Sequence, residues 1–262
     1  RALERRELRL VHQPIVDIDL GDVVGFEALM RWEREDGSMI SPAEFIPIAE
    51  ETGTIVPIGA WALLEALTHL RGWISEGACR SDATMSVNVS PRQLHDPNFV
   101  AVVSEALMRS HVPAEQLWLE ITEGVMIAQP DQALATLTKL CDIGVRIAID
   151  DFGTGYSSLS LLQKFPIHRL KIDKSFVSGV ADDQSARSLV RTIIAMGESL
   201  GLDMVAEGVE SVRQLQTLAE LHCAKAQGYL ISHPVPPNSI SQTVAALDQF
   251  GAWSKLRGNG NI

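Results

Sequence analysis

The stretch Val145-Arg-Ile-Ala-Ile-Asp-Asp-Phe-Gly-Thr-Gly-Tyr-Ser-Ser158 decides how the rest of the sequence is read. An apolar β-forming run, Val145 to Ile149, stops abruptly at two adjacent carboxylates, Asp150 and Asp151. Gly153 and Gly155 follow and free the backbone for a sharp turn. Adjacent carboxylates do not both stay ionised cheaply unless a cation sits between them. The run therefore reads as a strand that leads into the edge of a site. Taken alone, an Asp-Asp pair more often describes a capped strand end followed by a turn, and it is the rest of the chain that reverses this.

Outward from this strand, β-runs and helical patterns alternate. Upstream, Leu8–Val16 and Val23–Arg31 read as strands joined by the turn Asp17-Ile-Asp-Leu-Gly-Asp22. That link is too short for a crossover helix, so these two strands pair antiparallel. Ser41-Pro42 starts a helix, with Ser at the N-cap and Pro in the first turn. A long helix follows, with Leu63, Leu67, Leu70 and Ile74 at helical spacing. Further strands are expected at Thr84–Val89, Leu117–Ile121, Val145–Asp150, Arg169–Ile172, Asp203–Ala206 and Ala226–Ile231. Helices are expected between them: from Asp96-Pro97 to near Ser110, Asp131–Cys141, Ser185–Leu200 with Leu189, Ile193, Met196 and Leu200 inward, and Ser211–Leu221. A last helix covers roughly Ser239–Phe250. Eight strands alternating with helices give an α/β, TIM-like (β/α)8 barrel that departs from the ideal at its first hairpin. One barrel domain is expected over residues 1–250, with 251–262 as a tail.

The 262 residues carry a net charge of −11 and are 46% hydrophobic, enough for a sizeable core. The negative charge excludes a nucleic-acid polymer as partner, because no basic patch is present to neutralise phosphates. A phosphate substrate would then need metal ions. Three widely spaced cysteines fit a reducing compartment better than disulfides or zinc. No apolar run reaches 18 residues and no signal peptide is evident. A cytoplasmic location is expected, and a start at Arg1 suggests excision from something larger.

In a (β/α) barrel the site lies at the C-terminal ends of the strands. Seven consecutive strands bring a polar group there: Glu27 with Arg31 four residues on, Asn88, Glu120 with Glu123 beyond, Asp150 and Asp151, Lys171, Glu207 with Glu210 after it, and Gln227. Five carboxylates and an amide carbonyl select hard cations, Mg²⁺ or Mn²⁺. More carboxylates converge than one ion needs, which points to two ions about 3.5–4 Å apart clamping an in-line displacement at phosphorus. Lys171 would orient or help deprotonate the nucleophile, or stabilise developing charge. Arg31 suits a phosphate oxygen through its bidentate fork. Trp32, just past Arg31, is a candidate for lining a substrate groove; the other four tryptophans and the histidines read as packing residues. Asp151-Phe-Gly153 resembles the kinase metal motif, but no Gly-rich loop or His-Arg-Asp accompanies it.

Eight segments in order resemble one family. They are Gln13-Pro-Ile-Val16, Phe26-Glu-Ala-Leu-Met-Arg31, Val87-Asn-Val-Ser90, Leu119-Glu-Ile-Thr-Glu123, Asp150-Asp-Phe-Gly-Thr-Gly-Tyr-Ser-Ser158, Leu170-Lys-Ile-Asp173, Ala206-Glu-Gly-Val-Glu210 and Gln227-Gly-Tyr229. From Leu8 to Pro236 the chain is similar to the EAL domain, a bacterial phosphodiesterase that hydrolyses cyclic di-GMP to linear pGpG. The resemblance implies a barrel with an antiparallel first strand. It implies one metal held by Glu27, Asn88, Glu120 and Asp150, and a second by Asp150, Asp151 and Glu207. Lys171 would contact the attacking water, and Glu123 would anchor the glycine loop. Gln13, Leu29 and Arg31 would contact substrate, with Glu210 and Gln227 supporting the site. A homodimer and an upstream sensory or GGDEF-type domain are further expectations. Relatives that lose such residues act as cyclic di-GMP receptors, and that is the alternative reading; every position is filled in this sequence. Ala224 after Cys223 and Ile231-Ser-His-Pro234 depart from the family pattern without touching the expected ligands.

Overall fold

A computed structural model describes residues 2–153 and 159–249. The chain opens with the expected hairpin, β1 (Leu8–Asp17) against β2 (Val23–Glu33), antiparallel with Gln13 opposite Glu27. A two-residue strand, β3 (Met39–Ile40), extends the edge of β2. Ser41 caps α1 (Pro42–Thr52) by accepting from the Ala43 amide, and Gly53 at φ 76° closes it. In α2 (Ile55–Ser75), Gly59, Ala62, Leu63, Ala66, Leu67, Leu70 and Trp73 form the buried stripe.

Strand and helix then alternate: β4 (Thr84–Asn88), α3 (Pro91–Leu94), α4 (Phe99–Ser110), β5 (Leu117–Thr122), α5 (Glu123–Ala128), α6 (Pro130–Asp142), β6 (Arg146–Phe152), α7 (Leu159–Lys164), β7 (Arg169–Ile172), α8 (Lys174–Val177), α9 (Gln184–Ser199), β8 (Asp203–Ala206), α10 (Val212–Glu220), β9 (Lys225–Ala226) and α11 (Ile240–Gln249). The pairings run β1-β9-β8-β7-β6-β5-β4-β2, and β1 pairs with β2 to close the ring. Neighbours from β2 through β4 to β9 are parallel, while β1 is antiparallel to both β2 and β9. The fold is the expected TIM-like α/β barrel with a reversed first strand.

Four readings are corrected. The last barrel strand is not Ala226–Ile231 but only Lys225–Ala226. Gly228 turns the chain there, because its carbonyl accepts from both Ile231 and Ser232 amides. The chain also runs so close to Val209 that a Cβ on Gly228 would lie 2.2 Å from backbone atoms. Leu189 is 43% exposed: the buried stripe of α9 is Val190, Ile193, Ile194 and Gly197, one position round the helix. The helix expected from Asp96-Pro97 begins instead at Phe99, with Asp96 accepting from the Asn98 amide. The helix α5 was not expected at all. Cys79, Cys141 and Cys223 are free. No helix among the described residues is long and apolar enough to cross a membrane. The expected tail, 251–262, lies outside the described residues, as do 154–158 of the glycine loop.

Candidate active site

Lys171 is the hub of the barrel's C-terminal rim. It stands on β7, is 1% exposed, and has four carboxylates around its ammonium. Nζ lies 2.6 Å from Glu207 Oε1, 2.7 Å from Glu120 Oε2, 3.0 Å from Asp150 Oδ1 and 3.4 Å from Glu27 Oε2. Strand register produces this convergence: Asn88 stands opposite Glu120, and Thr122 opposite Asp150, so successive parallel strands deliver their last residues at one level. Glu27 is fixed from two further sides. Asn88 Nδ2 donates to its Oε1 at 2.8 Å, and Gln227 Nε2 donates to its Oε2 at 2.6 Å and to Gln13 Oε1 at 2.9 Å. Gln13 in turn donates to the Ser232 carbonyl.

Asp150 and Asp151 pose a geometric problem. Successive residues of a regular strand point to opposite faces. Here the β6–β7 register shifts between Ile149 and Phe152, and Asp151 takes φ 51°. The bulge re-aims the second side chain, a common device beside active sites. As a result Asp150, Asp151 and Glu207 each offer an oxygen within 4.8 Å of the others. Aspartate tolerates this left-handed conformation better than most side chains. Two residues on, Gly153 at φ 99° has no such alternative, because a Cβ would sit 2.7 Å from the Phe176 ring. Its amide donates to Glu123 Oε1 at 2.7 Å, so Glu123 holds the start of the glycine loop.

The electrostatics are those of an acidic centre short of cations. Five carboxylates (Glu27, Glu120, Asp150, Asp151, Glu207) face one ammonium, a balance of −5 + 1 = −4 when all are ionised. Burial, then the neighbouring carboxylates, raise Glu120 well above the usual carboxylate range and push Glu207 up to about 8, although Lys171 opposes both. Burial and Asp150 bring Asp151 up to about 6. Glu27 goes the other way. Its burial cost is outweighed by Lys171 and by the hydrogen bonds from Gln227 and Asn88, which hold it low. Lys171 is raised well above the ordinary lysine value, since Glu120, Glu207, Glu27 and Asp150 outweigh its burial. Glu120 Oε1 is buried with no hydrogen-bond partner among the described residues. An all-oxygen donor set, an orphaned buried carboxylate oxygen and a deficit of four positive charges fit two divalent cations.

Two cavities open beside this centre and meet at Leu29. One, of about 240 Å³, is lined by Gln13, Glu27, Asp150, Glu207, Glu210 and Gln227, and also by Lys174 and Tyr229. The other, of about 440 Å³, is more apolar and runs past Arg31, Pro42, Ile46, Asn88 and Ser90. All expected site residues thus lie at the rim or in these cavities, apart from Glu123, which binds the Gly153 amide. Trp32 does not: it lines a third cavity, donates to Glu7 Oε2 and packs edge-on to Phe45. It stands one position past Arg31 on β2, so the pleat turns it to the other face. Lys174 and Tyr229 are the residues that sequence reasoning missed. Each follows an expected site residue by two or three positions, on the loop side of the strand end.

A family model described as EAL domain matches residues 1–234. The chain is 42% identical over 245 residues to a bifunctional diguanylate cyclase/cyclic di-GMP phosphodiesterase, MucR of Pseudomonas aeruginosa, covering 94% of this chain and 36% of that protein. It spans about a third of the length of the curated relatives it matches. Among solved structures, the PaMucR phosphodiesterase in its c-di-GMP complex superposes with a TM-score of 0.86 at 42% identity, over 91% of this chain and 96% of that one. The EAL enzyme Bd1971 with cAMP and cyclic di-GMP bound gives 0.88 at 32% identity, over 93% and 66%.

Proposed function

The chain belongs to the EAL domain family, and from that premise we propose that its acidic rim hydrolyses one phosphodiester bond of cyclic di-GMP, giving linear pGpG. The observation that carries the reading is the convergence of Glu27, Asn88, Glu120, Asp150, Asp151, Lys171 and Glu207 on one rim, with no member missing. Glu27, Asn88, Glu120 and Asp150 would hold one divalent cation, and Asp150, Asp151 and Glu207 the other. Such ions, Mg²⁺ or Mn²⁺, supply Lewis acidity at phosphorus and an acidified water.

The chain's own groups do the rest. Lys171, kept protonated by its carboxylates, carries no lone pair and is therefore a donor rather than a base. It orients the attacking water and offsets charge that builds on the phosphate oxygens. Gln227 and Asn88 fix Glu27, so its carboxylate is set before substrate arrives. Glu123 fixes Gly153 and with it the start of the glycine loop. Leu29 stands where the two cavities meet and Arg31 lines the larger one, placed to contact a ligand that spans both. The larger, more apolar cavity suits a flat base; the smaller, acidic one suits the scissile phosphate.

Incubation with cyclic di-GMP and Mg²⁺ or Mn²⁺, with an EDTA control and chromatography of the products, tests the reading. Metal-dependent pGpG is expected. Bound but uncleaved dinucleotide in saturating metal would replace hydrolysis with a receptor role.

A further inference from the structure

Lys174 is not among the residues that hold the acidic centre, yet its position asks for a role. It opens the four-residue helix α8, three residues past Lys171, on the loop side of β7. Of the described residues that line the 240 Å³ cavity it is the only lysine or arginine, among four carboxylates: Glu27, Asp150, Glu207 and Glu210. Its stem is packed against Gly208, which has φ 64° and whose missing Cβ would lie 2.4 Å from Lys174 Cγ. The side chain is thereby directed to the cavity mouth. There Nζ pairs with Glu210 Oε1 at 2.5 Å and stands 5.9 Å over the Tyr229 ring, which is itself stacked on His233 with centroids 4.0 Å apart. The pair is half exposed, with side-chain accessibilities of 56% and 47%. An exposed pair of this kind is worth little and exchanges partners readily.

A cyclic dinucleotide brings two phosphates. One must reach the acidic centre; the other leaves that centre and meets the cavity wall, where a carboxylate would repel it. We propose that Lys174 is a positioning residue for the phosphate that is not cleaved, released to it from Glu210 as the ligand enters. The inference rests on the reading of the site as one for cyclic di-GMP. The ammonium acts as a point charge on a long stem, which suits a phosphate whose position differs from that of Glu210. Glu210 then serves as the parking place that keeps the cation at the mouth in the free protein.

The test compares two substrates of the full chain in Mn²⁺: cyclic di-GMP, with two phosphates, and bis(p-nitrophenyl) phosphate, a diester with one. Lys174→Ala is expected to raise KM for cyclic di-GMP about tenfold, the loss of one charge-assisted hydrogen bond, with kcat within about twofold. The preference for cyclic di-GMP over the one-phosphate diester should fall by the same factor. Lys174→Arg should recover most of it. Because Lys174→Ala also frees Glu210, the double variant Lys174→Ala/Glu210→Gln separates attraction from relieved repulsion. Recovery of KM in the double variant would mean that Lys174 only neutralises Glu210, and would overturn the proposal. An unchanged substrate preference in Lys174→Ala would overturn it too. A wild-type chain that cleaves the small diester but not cyclic di-GMP would instead remove the underlying substrate reading.

Discussion

Replacing Lys171 by methionine keeps the length and most of the volume of the side chain while deleting its charge. In the metal-free protein this removes the one cation among the described residues that contacts Glu27, Glu120, Asp150 and Glu207, whose side chains are 7%, 0%, 15% and 17% exposed. Breaking a buried ion pair by removing one partner costs about 3–5 kcal/mol, because the other charge is left uncompensated. Four carboxylates share this partner, so the cost is not four times larger: those that can will take up protons instead. That escape fixes the sign of the pH dependence. Carboxylates whose folded pKa is raised bind protons that the unfolded chain has released, so their stability is present below about 4.5 and lost as pH rises. Lys171→Met should therefore lose about 3–5 kcal/mol at pH 8 in EDTA, and visibly less at pH 5. Divalent cations should restore much of it, since a ligand at a hundred times its Kd adds about 2.7 kcal/mol. Urea unfolding at the two pH values, with EDTA or with Mn²⁺, makes the measurement. A loss below about 1 kcal/mol, or an equal loss at both pH values, would refute the account of Lys171 as the internal counter-ion.

The wild type in EDTA should itself lose stability between pH 6.5 and 8, because Glu207 sits up at about 8 and is protonated in the fold but not in the unfolded chain. His12, pressed down to about 3 by burial and His69, works in the opposite sense but only below 6.5, so this window is clean of it. Mn²⁺ should flatten the profile; a profile already flat in EDTA would contradict the charge deficit. Glu27→Ala should reduce turnover to background by emptying a ligand position and releasing Gln227 and Asn88, and wild-type-like kcat would sink the ligand assignment. Gly228→Ala places a Cβ 2.2 Å from Val209 backbone atoms and should cost about 1–3 kcal/mol while shifting Gln227, seen as lower kcat/KM. Unchanged stability and kinetics would show that the loop gives way freely.

The barrel was legible because its signals are periodic. Apolar β-runs alternate with helical stripes from Thr84 onward, and the five-residue link after Asp17 forces the antiparallel start. The rim residues were legible for the same reason: once the strands are placed, their last residues fall at one end. What stayed hidden depends on single backbone dihedrals or on a neighbour distant in sequence. Nothing in the letters Asp150-Asp151 announces the bulge that brings both carboxylates to one side. The shortness of β9 follows from the close approach of Gly228 to Val209, nineteen residues upstream, which no local sequence pattern reveals. Leu189 was misplaced because leucine every third or fourth residue fits two adjacent faces of α9, and packing on the barrel chose the one with Val190 and Ile194. Trp32 was misplaced by the pleat.

A chain with net charge −11 that gathers five carboxylates at one rim repels any phosphate, and a single buried lysine does not reverse that. Lys171 is enough to let the fold close, by holding Glu27 low and the others within reach, but once all five carboxylates are ionised it leaves a deficit of four charges. Two divalent cations remove that deficit without surplus. The cations that then favour an anion are those at the edge, Arg31 on one side of Leu29 and Lys174 on the other. Metal loading and substrate binding are therefore coupled through charge: without the ions, the edge cations face a centre that rejects the ligand they would hold. Affinity for cyclic di-GMP should accordingly fall in EDTA even in variants too slow to turn it over, and equilibrium dialysis of Lys171→Met with and without Mn²⁺ reads this directly. Equal affinity in both conditions would mean that the edge residues bind the dinucleotide on their own and that the acidic centre contributes only to its cleavage.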